Sequence, residues 1–196
     1  MDTFLHIGHV EYEPSQRQRF ASGELRAEWF RNYPNLFDED DFRRASNRSK
    51  PYFFYEWLGA ILLHHSTGYS ALVTKYQQDS RKRTLLPQIL PSAVLNVLQD
   101  HTLFGKTQGP DLLMYNPSAG DWFFCECKGP GDELSEKQIG YFGSLVAASH
   151  SAIRLLRFRL LRAPKSPNRA PAVHGIYAAS HEFNPPIRRD ARARGR

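Results

Sequence analysis

The strongest constraint on this chain is a segment near its middle. A short apolar run, Asp111 to Tyr115, is joined through Asn116-Pro117-Ser118-Ala119-Gly120 to an aromatic run, Trp122 to Lys128. Two strand-prone runs around a turn rich in Asn, Pro and Gly predict an antiparallel hairpin. Side chains alternate between the faces of a strand, so Glu126 and Lys128 project together while Phe123, Cys125 and Cys127 project the other way. With the ends of the hairpin in register, Asp111 lies near Glu126 and Lys128. Two carboxylates and an ammonium then meet at one sheet edge.

Such a trio suits a hard divalent cation held against a phosphate. Mg²⁺ takes oxygen ligands, usually one or two carboxylates with several retained waters, so Asp111 and Glu126 supply an incomplete shell that substrate and water complete. Lys128 is then placed to orient a water or to offset charge building on phosphorus. The reaction that fits is phosphodiester hydrolysis. The competing reading is a surface hairpin whose charged ends form solvated ion pairs, worth roughly 0 to 1 kcal/mol each.

A family resemblance attaches to these residues. Gly109-Pro110-Asp111-Leu112, Glu126-Cys127-Lys128-Gly129-Pro130, Asp132, Leu134-Ser135, Lys137-Gln138 and Tyr141 resemble the VRR-NUC branch of the PD-(D/E)XK nucleases. The match covers the stretch from roughly 105 to 146. Two places depart from the pattern: Tyr141 stands where a tryptophan is frequent, and Gly109 abuts Pro110 where one residue often intervenes. Neither removes a ligand. The resemblance implies a restriction-endonuclease-like α/β core, a central mixed sheet flanked by helices, with an N-terminal helical extension. It also implies a metal-dependent nuclease using Mg²⁺ or Mn²⁺ and leaving 5′-phosphate and 3′-hydroxyl ends.

Four further expectations follow from the resemblance. Glu56 joins Asp111 and Glu126 as a metal ligand, the Cys127 backbone carbonyl completes the shell, Lys128 positions the attacking water, and Gln138 reaches back to support the site. Glu56 lies in an apolar run, Pro51 to Leu63, where a buried carboxylate needs a metal or a basic partner; an arginine-paired helix glutamate is the alternative. Gln138 has a second reading too, because Ser135-x-x-Gln138 is a capping box. Ile139, Phe142 and Val146 recur at helical spacing and are expected to pack that helix on the sheet. Cys125 and Cys127 read as small buried apolar groups; a zinc site would need more Cys or His ligands than they offer. His64-His65 reads as a helix end.

The chain has 196 residues and a net charge of +6. Its pI is near 9.4. The excess is clustered in Arg81-Lys82-Arg83, expected in a loop, and in the tail with Arg188 and Arg189, a pattern suited to a polyanion such as DNA. No run approaches a membrane span and Met1-Asp2-Thr3 opens no signal-peptide pattern, so a cytoplasmic setting is expected, with leaderless export left open. The organisation expected is an N-terminal extension over 1–50, a nuclease domain over 51–182 and a basic, disordered tail over 183–196. Within it, one helix is expected near Ser22 to Tyr33, another from Pro91 to Asp100, a stretch of uncertain type at Tyr69 to Tyr76, a strand at Ile153 to Leu161, a Pro-rich loop at Ala163 to Pro171 and a last strand at Val173 to Ala178.

The expectation is a DNA endonuclease, acting on branched DNA or making double-strand breaks, for which a homodimer would supply two sites. Two alternatives stay open. One is a nucleic-acid-binding module of the same fold that does not cut. The other keeps the nuclease but deploys it as a toxin with an immunity partner, or in phage defence.

Overall fold

The computed structural model describes residues 5–47, 51–73, 76–77, 79–100 and 109–161. Its elements in chain order are β1 (Leu5–Tyr12), α1 (Pro14–Ser22), α2 (Glu24–Asn32), α3 (Glu39–Ser46), α4 (Phe54–Thr67), β2 (Ser70–Leu72), α5 (Ser80–Ile89), α6 (Ser92–Gln99), β3 (Leu112–Asn116), β4 (Asp121–Lys128), α7 (Glu136–Ser149) and β5 (Ile153–Leu160). The strands form one mixed sheet in the order β1-β5-β4-β3-β2. β1 and β4 run parallel to β5, whereas β2 and β4 run antiparallel to β3. The protein is therefore α/β, a five-stranded mixed sheet between two helical layers.

Strand alternation divides the core. Leu112, Met114, Phe123, Cys125, Cys127, Leu156 and Phe158 face one side and pack on Phe20, Trp29, Phe54 and Trp57 from α1, α2 and α4 and on Phe37 from the connection between α2 and α3. Leu113, Phe124 and Ile153 face the other side, against Leu86, Val94, Leu98, Phe142 and Leu145. Each fully buried side chain of the size of Phe54 or Leu112 contributes about 1.5 to 3 kcal/mol. α4 lies close to the sheet because Gly59 has no side chain: a Cβ there would fall 2.8 Å from Cys127 Sγ. That close approach carries Glu56, one turn earlier, toward the end of β4.

The hairpin forms as its sequence implies. Leu112 pairs with Cys125 and Asn116 with Asp121. Asn116 closes the turn, its carbonyl accepting from Gly120 N at 2.9 Å and its Oδ1 from Ser118 N and Ala119 N. α6 covers most of the expected 91–100 helix, β5 most of the expected 153–161 strand, and the uncertain 69–76 stretch contains β2.

Other expectations are corrected. The helix expected near Ser22 to Tyr33 is α2, but a further helix, α1, precedes it, and Gly23, at a φ of 95°, caps α1 and opens α2. The boundary at residue 50 does not exist in the packing. β1 pairs with β5 along eight residues, and Phe20, Trp29 and Phe37 share one core with Trp57, so the N-terminal segment is part of the sheet and its first layer. The sequence 81–83 is the first turn of α5, capped by Asp79, which accepts from the Arg81 and Lys82 amides. Ile139 is 49% exposed; Tyr141, Phe142 and Leu145 form the buried stripe of α7. The expected 163–171 loop, the 173–178 strand and the tail carrying Arg188 and Arg189 lie outside the described residues.

Candidate active site

Asp111, Glu126 and Lys128 share the sheet face that carries Leu113 and Phe124, by the same alternation that buries those two residues. The end of β4 brings them into contact. Glu126, 1% exposed, accepts the Asp111 backbone N–H at Oε2 (3.2 Å). Its Oε1 receives the Lys128 ammonium at 2.9 Å and the Gln138 side-chain amide at 2.8 Å. Asp111 Oδ2 accepts the Cys127 backbone N–H at 2.9 Å, tying the start of β3 to the end of β4. The cross-links run both ways, so neither acid can move without the other.

Gln138 makes two sets of bonds at once. Ser135 Oγ accepts from Gln138 N at 3.2 Å, and Gln138 Oε1 accepts from Ser135 N at 3.2 Å, the reciprocal capping box. The same Oε1 accepts from Lys128 Nζ at 3.2 Å while Nε2 donates to Glu126. One amide therefore starts α7 and fastens it to the acidic pair. The helix N-terminus also points its partial positive charge toward those carboxylates.

Burial, then the Glu126 charge, then the Glu56 charge hold the Asp111 carboxyl well above the ordinary carboxylate range, against the Cys127 N–H and Lys128. Glu56 reaches this field from α4 in the opposite layer, and its Oε2 is buried. The thiol of Cys127 is pushed up by burial and by Cys125 beside it. Both cysteines are free and buried, on the face away from Glu126. His64 and His65 are at the far end of α4, engaged with Tyr69 O and the Tyr33 hydroxyl, and take no part in the site.

The donors present are hard oxygens: two carboxylates tied together through the Asp111 and Cys127 amides, a third within electrostatic range, and a backbone at Cys127. They match a cation that keeps much of its water. Among the described residues no three His, Cys, Asp or Glu side chains close into a cage. The set fits Mg²⁺ or Mn²⁺ through Asp111 and Glu126, and it does not fit zinc.

The basic residues assigned to nucleic acid separate. Arg81 and Arg83 are exposed on α5. Lys82 is a correction: it is 4% exposed, and its ammonium bonds Asp41 of α3 and the Val73 carbonyl at 2.9 Å. A lysine so enclosed has no free donor for a phosphate. One basic side chain escaped the sequence reading. Arg17 lines a groove of about 510 Å³ with Tyr12, Gln18, Tyr55, Pro130 and Asp132, next to Gly129. Its guanidinium lies 5.8 Å from the centre of the Tyr55 ring. One of two arginines on a polar helix, it carries no pattern to single it out.

The fold and site together define an α/β protein with a buried acid pair, a lysine and a glutamine at the end of one strand. No protein-family model matches the chain, and no curated protein matches it. Among solved structures, one match is a crystal structure of paFAN1 bound to 2-nt 5′-flap DNA with a gap, at 18% sequence identity and a TM-score of 0.31. The match covers 75% of this chain and 22% of that one. No helix among the described residues is long and apolar enough to cross a membrane.

Proposed function

We propose that this chain is a metal-dependent nuclease with a PD-(D/E)XK core of the VRR-NUC type, hydrolysing phosphodiester bonds in DNA. The observation that carries the reading is the convergence of Lys128 and Gln138 on Glu126 Oε1, with Asp111 cross-linked to the same two strand ends. Asp111, Glu126 and the Cys127 carbonyl would hold Mg²⁺ or Mn²⁺, with Glu56 as the further carboxylate. A divalent cation there supplies charge neutralisation at the phosphate and acidifies water.

The chain's own residues do the rest. Lys128, 13% exposed at its side chain, has its ammonium at the rim of the acid pair, where it orients a water for in-line attack and offsets charge on the phosphoryl oxygens. Gln138 bonds both members of this pair, its Oε1 to Lys128 Nζ and its Nε2 to Glu126 Oε1, and so fixes their orientation. In the reaction the water oxygen bonds to phosphorus, the bond to the 3′ oxygen breaks, and a proton reaches that oxygen, leaving 5′-phosphate and 3′-hydroxyl. Arg17 in the adjoining groove, with exposed Arg81 and Arg83, supplies positive charge for the flanking backbone.

The test is cleavage of supercoiled plasmid and a labelled four-way junction by wild type, Asp111→Ala and Lys128→Ala, with Mg²⁺, with Mn²⁺ and with chelator. Metal-dependent cutting lost in both variants is expected. Identical traces from all three proteins would sink the proposal. The second reading, a nucleic-acid-binding module that does not cut, draws on one observation: Lys128 already neutralises Glu126 without a metal. Calorimetry separates the two, since such a module has no use for Mg²⁺ at Asp111.

A further inference from the structure

The groove that holds Arg17 has a volume of about 510 Å³, inside the range of about 300 to 1,000 Å³ common to small-ligand sites. Three parallel strands end at it: Tyr12 closes β1, Leu160 closes β5 and Gly129 follows β4. Open α/β sheets take their ligands at such carboxyl ends. The groove also shares two elements with the acid pair. Its Tyr55 immediately precedes Glu56 on α4, and its Gly129 immediately follows Lys128. It is the cavity a strand meets next to a phosphate held at Lys128.

Its walls are tied together. A Cβ at Gly129 would fall 2.4 Å from Tyr55 Cε2, so the turn and the ring meet only because residue 129 has no side chain. The hydroxyls of Tyr12 and Tyr55 share a hydrogen bond of 2.8 Å, and Gly129 N donates to Asp132 Oδ2 at 3.1 Å. The Arg17 guanidinium lies over the Tyr55 ring, which attracts it. Arg17 forms no salt bridge among the described residues, whereas Arg19, on the same helix, is occupied by Glu24 and Glu28.

Two groups of opposite sign thus line one cavity without being paired to each other. The guanidinium fork of Arg17 suits a phosphate. Asp132 spends Oδ2 on the Gly129 amide and has Oδ1 left for a donor, and its charge disfavours a bare anion. A ligand anionic at one end, with N–H donors at the other, satisfies both. A nucleotide has that form, since bases are read through hydrogen bonds on their Watson–Crick edge. A base that gives its donor to Asp132 is not giving it to a complementary base.

We propose that this groove is a subsite for one unpaired nucleotide of the strand being cut, with its phosphate on Arg17 and its base donor on Asp132. The inference rests on the nuclease reading of the adjoining site.

The experiment measures fluorescence anisotropy of one labelled DNA oligonucleotide, as a single strand and as a full duplex, over a range of salt. The full chain is used as wild type, Arg17→Ala and Arg17→Lys, in Ca²⁺, with the recovered strand checked for cutting. The wild type should hold the single strand more tightly than the duplex. Arg17→Ala should lose about 10-fold on the single strand, with a log–log salt slope shallower by about 0.7, and little on the duplex. Arg17→Lys should recover the slope without the full affinity, because an ammonium lacks the fork. Arg17 is exposed, so these changes leave the core intact. The same strand with its bases removed should bind the wild type more weakly. Equal losses of Arg17→Ala on both forms, or an abasic strand bound as well as the intact one, would overturn the subsite and leave the nuclease proposal to the cleavage test. No binding of either form by the wild type would overturn both.

Discussion

Two buried lysine–carboxylate pairs sit in this molecule, and they are built for opposite ends. Lys82–Asp41 has side chains 5% and 1% exposed; Lys128–Glu126 has 13% and 2%. Lys82 is closed in on every side it can donate to: Asp41, the Val73 carbonyl, and Asp38 at 3.7 Å. It ties α3 to α5, and with Arg44 beside Asp79 two cations meet the carboxylates of Asp38, Asp41 and Asp79. Lys128 instead faces an excess of acid, with Asp111 cross-linked to Glu126 and Glu56 within electrostatic range. The first pair is finished without a ligand, whereas the second is short of positive charge and near the surface. Burial of a salt bridge therefore says little about its role; the local charge balance and one open side decide it.

The sharpest way to break the comparison is to remove each lysine and read both stability and activity. Lys128→Ala is expected to lower metal-dependent cleavage by about 100-fold or more, with a small thermal shift, because Glu126 keeps Gln138 Nε2 and the Asp111 amide. Lys82→Ala strands Asp41 in the core and should cost about 3 to 5 kcal/mol, roughly 6 to 20 °C in Tm at about 2 to 4 °C per kcal/mol. Circular-dichroism melts beside plasmid cleavage measure both. Equal Tm losses in the two variants would erase the distinction.

Replacing both partners probes the same point. Lys82→Met with Asp41→Leu should recover most of the stability lost in Lys82→Ala, since a well-packed apolar pair can replace a buried ion pair. No apolar replacement of Lys128 and Glu126 should recover cleavage. A double variant that melts as low as Lys82→Ala would mean that the pair sets geometry as well as charge.

Acidity gives a further handle. Burial pushes the Asp41 carboxyl up to about 7, with the Lys82 charge pulling it back. A group whose pKa is raised on folding binds more protons in the native state. Its contribution is complete below the unfolded value of 3.8 and is lost as pH rises through about 7. Wild-type Tm should therefore decline from pH 5 to pH 8 through this group, and Asp41→Asn should flatten that slope. The Lys82→Ala deficit should widen over the same range, because only a protonated Asp41 tolerates the loss of its partner. A deficit independent of pH would contradict the assignment.

The smallest expected effect concerns the double duty of Gln138. Ser135→Ala removes one side of the capping box and should cost about 1 kcal/mol, or roughly 2 to 4 °C, while Gln138 stays bonded to Glu126 and cleavage falls only modestly. Gln138→Ala, which breaks both sets of bonds, should lose activity well beyond that thermal cost. Matching losses in the two variants would reduce Gln138 to a cap.

The chain's local order determined the hairpin, the shared face of Glu126 and Lys128, the opposite face of Cys125 and Cys127, and the capping box at Ser135. Each depends on alternation or spacing over a few residues, which the backbone enforces wherever the segment folds. What lies far apart in sequence was decided by packing. The 41-residue gap between Asp41 and Lys82 hides a buried pair inside what reads as a basic stretch. Gln138 reaches Glu126, and Glu56 comes within electrostatic range of Asp111, only because α7 and α4 pack against the end of β4. The N-terminal segment enters the sheet as β1 because β5 leaves an open edge for it to pair with. Strand pairing and side-chain enclosure are long-range contacts, and no local pattern of residues states which distant partner will close them.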